Sequence, residues 1–170
     1  YVFRGDKELG ARYAGYAGTL GAVSTFGVIY FITWLGCQIG KRRAFIVSTS
    51  ISIIGYGLKW FCYSPAHPLL LLLPVPLMAF GLGGLFTLMG SMIADVCDYD
   101  ELDTSQRREG LFGAIYWWMV KIGMALAGLF TGIMLNASGF SVDLKAQPEG
   151  TLFLLRVFDI GVPLVTSALA

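Results

Sequence analysis

The sequence predicts an all-α membrane protein of five transmembrane helices, and three observations carry that prediction. Of its 170 residues, 56% are apolar and 14% charged, against about 45–50% and about 25% in soluble domains. The apolar residues gather into five stretches, each near the roughly 20 residues that a helix needs to cross a bilayer. The polar connections between them are too short to hold a soluble domain. A net charge of +1 gives no reason to expect nucleic acid as a partner; the lipid bilayer is the partner that this composition demands.

The elements follow in order. The first sixteen residues hold Arg4, Asp6, Lys7, Glu8 and Arg12 and lack the apolar core of a cleavable leader. Tyr1 in place of Met, and an apolar segment still running at Ala170, suggest a fragment of a longer protein. The first span covers about 16–36 and is closed by Lys41-Arg42-Arg43. The second covers 44–63 and contains Lys59; Ser64-Pro65-Ala66-His67-Pro68 then breaks the chain, because two prolines three apart cannot continue a helix. The third covers 69–94, and its Pro74-x-Pro76 pair should distort it near one end. A polar loop, Asp95 to Glu109, leads to the fourth span at 111–136, and a second polar segment leads to the fifth at 151–170. Lys41, Arg42, Arg43, Arg107 and Arg108 fall on one side, and Arg4, Lys7, Arg12 and Lys145 on the other. The tight basic turn places the first side in the cytoplasm.

Small residues mark faces where helix backbones approach closely in lipid. Gly15, Gly18 and Gly21 recur every three residues; Gly36/Gly40 and Gly128/Gly132 are GxxxG pairs; Ser48/Ser52 is a related pair. Gly81, Gly83 and Gly84 serve either close packing or bending. Cys37, Cys62 and Cys97 have no metal-ligand spacing and read as buried, packing thiols. His67, between two prolines, is not read as a proton relay.

Lys121 is the residue that points to chemistry. It sits in the middle of an otherwise uncharged stretch from Leu111 to Val142. A cation at mid-bilayer costs roughly 3 kcal/mol on insertion scales, so it faces a protein interior or a wet cavity and carries an ion, a proton or a substrate. Transport is therefore the first functional hypothesis. Trp117 lies at i−4 and Tyr116 at i−5, on or beside the same helix face. Aromatic rings next to a cation suit sugar recognition, since apolar sugar faces stack on rings while hydroxyls bond to polar tips. Trp118, at i−3, faces cavity or lipid, with packing the simpler role. Lys59, near the end of its span, is expected to snorkel to the interface. Arg156 and Asp159, at i and i+3, are expected to neutralise one another.

The run from Asp95 to Asp103 holds the densest charge in the chain. It is open to three readings: a solvated loop balancing Arg107 and Arg108; a magnesium–diphosphate site of a membrane-embedded transferase using Asp95 and Asp98; or a salt-bridged latch between helix bundles. The stretch from Met92 to Gly139 contains Ala94-Asp95, Asp98-Tyr99, Arg107-Arg108-Glu109 and a lysine twelve residues after that glutamate. In this combination it resembles the glycoside–pentoside–hexuronide:cation symporters, the melibiose-permease relatives within the major facilitator superfamily. The Gly40-Lys41-Arg42-Arg43 turn, the proline-interrupted third span and Leu155-Arg156 with Pro163 extend the resemblance more loosely.

The resemblance implies that the five spans correspond to helices eight to twelve of a twelve-helix carrier, multi-pass in the cell membrane, whose amino-terminal half is missing. It implies cation-coupled symport, with Na⁺ or H⁺, of a sugar or glycoside, and no enzyme activity. Lys121 takes the position of the coupling lysine, Phe86 that of a cavity-facing aromatic, and Asp95, Asp98, Arg107, Arg108 and Glu109 those of a cytoplasmic gate. No cofactor or metal site is implied in this chain, because the coupling ion is bound mainly by the missing half. Tyr116 and Trp117 replace polar residues of melibiose-type members. A free-standing half-carrier that dimerises through its glycine faces is the remaining alternative.

Overall fold

The computed structural model describes residues 7–63, 67–141, 144 and 147–169. They form α1 (Lys7–Ile39), α2 (Lys41–Cys62), a 3₁₀ turn (Pro68–Leu72), α3 (Pro74–Thr104), α4 (Glu109–Ala137) and α5 (Glu149–Leu169). All five helices are long and apolar enough to cross a membrane, and the described residues contain no strand.

Only one residue separates α1 from α2. Gly40 takes φ 88° and ψ 150° there, a region that is essentially open to glycine alone, and so the basic turn is as tight as its sequence suggested. The Pro74-x-Pro76 pair marks a break near the start of the third span: Pro68–Thr104 is apolar and membrane-length as a whole, but Pro68–Leu72 is a 3₁₀ turn and the α-helix begins only at Pro74. Pro74 opens α3, at a position where a missing N–H has no intrahelical acceptor to lose. The expected loop at 95–109 is shorter than foreseen. α3 continues through Thr104 and ends at Ser105, whose φ of 52° is left-handed and whose N–H donates to the Glu101 carbonyl at 2.8 Å. No glycine or proline interrupts 91–104. Loss of hydropathy ends a span, whereas the helix itself needs only its backbone bonds. Only 105–108 remain as connection.

α3 is central. It packs against α1 and α2, α2 in turn holds α5, and α4 leans mainly on α3 and α5. The core between α1, α2 and α3 is Val28, Ile32, Ala44 and Leu88, ringed by Leu35, Phe45, Ala79 and Phe80. The α2–α3 seam is a small-residue contact. Ser48 Oγ donates to the Phe80 carbonyl at 2.5 Å. A methyl group on Gly84 would lie 2.8 Å from Ser48 Cβ, and one on Gly55 2.9 Å from Leu77 Cβ. Gly81 faces Ser52, and Gly83 meets Val28. Those glycines serve close packing, not bending. By contrast, Gly15, Gly18, Gly128 and Gly132 have open space before them among the described residues. Cys62 and Cys97 are buried as expected, whereas Cys37 is exposed.

Candidate functional site

Helical arithmetic assembles a cleft between α3 and α4. Phe86, Gly90 and Ile93 recur at i, i+4 and i+7 on α3, and Gly113, Tyr116 and Trp117 at i, i+3 and i+4 on α4; each trio shares one helix face. Together these six residues line a cavity of about 310 Å³. The Tyr116 and Trp117 rings meet edge to face with centroids 5.3 Å apart. Three of the four residues singled out from the sequence for substrate therefore share one wall-lined space. The fourth, Lys121, stands one turn beyond Trp117. It is exposed, lies outside the cleft wall and forms no ion pair among the described residues. Trp118 is 66% exposed and does not line the cleft. Gly90, Ile93 and Gly113 were not foreseen, although their spacing from Phe86 and Tyr116 was readable.

The acidic and basic residues at the end shared by α2, α3 and α4 form three separate pairs. Lys41 Nζ donates to both carboxylate oxygens of Asp95 at 2.6 and 2.7 Å and to the Ser91 carbonyl at 3.2 Å. Arg108 grips Asp100 with Nε and a terminal nitrogen at 2.9 and 2.5 Å. Arg107 Nε donates to Glu109 at 2.8 Å, with Glu101 at 4.0 Å. The hydrogen bond to Glu109 pushes the Arg107 guanidinium pKa further above its ordinary value. Asp98 is exposed and forms no ion pair among the described residues. Of the five gate residues read from sequence, four are thus engaged within this bundle. Lys41 and Asp100 are partners the sequence reading missed. The transferase alternative loses its basis here, since an ammonium already occupies the Asp95 carboxylate that a metal would need.

A second polar cluster joins α2 to α5. Lys59 is 6% exposed, and its Nζ lies 2.5 Å from Asp159 Oδ2 and 5.0 Å from the centre of the Tyr63 ring. Snorkelling is therefore corrected to an interhelical ion pair in which the lysine is buried and the carboxylate reaches the surface. Arg156 donates to the Trp60 carbonyl and stacks over the Trp60 ring at 4.6 Å, while Trp60 meets Phe153 edge to face at 6.3 Å. The expected Arg156–Asp159 pairing is replaced by Asp159 with Lys59 and Arg156 with Trp60. Because α5 packs on α2, the interhelical partner is available where a local i, i+3 pair had been expected.

Five apolar helices of membrane-crossing length, with charges paired at their ends and the Lys121 cation midway along α4 without an ion pair among the described residues, define a multi-pass membrane protein. The family profile described as MFS/sugar transport protein matches residues 7–170, and the chain belongs to that family, in its glycoside–pentoside–hexuronide symporter branch. It is 26% identical to the isoprimeverose transporter of Lactiplantibacillus pentosus over 78% of this chain and 27% of that protein. It is 32% identical to an uncharacterized symporter of Synechocystis sp. over 76% of this chain and 22% of the relative. It is 27% identical to the glucuronide carrier protein homolog of Escherichia coli over 75% and 28%. The chain thus spans about a quarter of the length of these relatives. None of the three names describes an enzyme. No solved structure matches.

Proposed function

We propose that this chain is the carboxy-terminal part of a carrier that moves a sugar or glycoside together with Na⁺ or H⁺ by alternating access. The observation that carries the reading is the grouping of Phe86, Tyr116 and Trp117 around one cleft, one helical turn before an intramembrane lysine. The rings offer stacking surfaces to a sugar, and the Lys121 ammonium offers a charge to carboxylates of the amino-terminal half. That half would hold most of the coupling-ion ligands, and the two halves would rock about the shared site. The Lys41–Asp95, Arg108–Asp100 and Arg107–Glu109 pairs stiffen the cytoplasmic end of this bundle. Asp98 is the gate carboxylate left to engage a second bundle.

The test is sugar-dependent uptake by the full-length carrier bearing Lys121→Ala or Lys121→Val. Loss of cation-coupled accumulation is expected, and unchanged accumulation overturns the assignment. The upstream coding sequence separates this reading from the free-standing half-carrier: six or seven further spans support the former.

A further inference from the structure

We draw no further inference here: the strongest candidate, the charged and aromatic cluster of Lys59, Trp60, Arg156 and Asp159 between α2 and α5, consists of interhelical packing contacts already described, and nothing among the described residues shows a ligand or a second state that it would serve.

Discussion

Removing either partner of the Lys59–Asp159 pair should have unequal consequences. At 2.5 Å and an effective dielectric constant of about 20, the two charges attract by roughly 7 kcal/mol. Desolvation offsets several kcal/mol per buried ion. The burial is lopsided: the Lys59 side chain is 8% exposed and that of Asp159 54%. Asp159→Leu strands an ammonium inside the α2–α5 contact, with the Tyr63 ring as its remaining neighbour, and should cost about 3–5 kcal/mol. Lys59→Met leaves a carboxylate that already reaches the bundle surface and has Arg156 one turn away on α5; about 1.5–3 kcal/mol is expected. The double variant Lys59→Met/Asp159→Leu replaces both charges by apolar groups and should fall within about 1 kcal/mol of the parent. Chemical unfolding of the full-length carrier in mixed micelles measures all three, with exposure of the buried Cys62 thiol as the local reporter. Equal costs for the two single variants refute the asymmetry. A double variant as damaging as the two singles summed refutes the pairing itself.

Three further outcomes follow from the packing. Gly84→Ala should lower stability by about 1–3 kcal/mol through its clash with Ser48, even though alanine is the better helix former by about 1 kcal/mol; a gain in the same unfolding assay rules out the close α2–α3 contact. Gly40→Ala should cost about 1–3 kcal/mol from the backbone angle alone, and a neutral result means that the α1–α2 turn is not the one described. Lys121→Ala, on an exposed position, should change stability by no more than about 0.5 kcal/mol while abolishing coupled uptake; a large stability loss would give this lysine a structural role instead.

Hydropathy showed where the membrane spans lie, and it did so because apolar length is a property of each segment alone. It misjudged where helices end. Asp95 to Thr104 is helical although strongly charged, since backbone hydrogen bonding is indifferent to side-chain polarity until a residue such as Ser105 turns left-handed. The Ser48/Ser52 pair and the glycines at 81–84 were readable because a close interhelical approach needs small residues on both sides. The partner of Lys59 was not readable, because a lysine near a span end is equally suited to the interface and to a carboxylate on another helix. Only the packing of α5 on α2, a long-range property, decides between them. The cleft was half legible: the aromatic residues drew notice, while Gly90 and Gly113 carry no chemistry until the space before them is seen.

The two intramembrane lysines show how one residue type takes opposite roles on two helices of one bundle. Lys59 sits where small residues bring helices together and a carboxylate from the next helix closes over it, so its charge is spent on holding the bundle. Lys121 sits on α4, which buries none of its residues and leaves its GxxxG face open. Its charge is not committed within this bundle. In a carrier whose halves rock against each other, a cation that must exchange partners belongs on the least packed face of a rigid unit. The tight α1–α2–α3 core supplies the rigid unit, and α4 supplies that face. The same openness makes room beside Tyr116 and Trp117, so the cleft and the available ammonium have one structural origin: α4 is held by α3 and α5 along its flank without being enclosed by them.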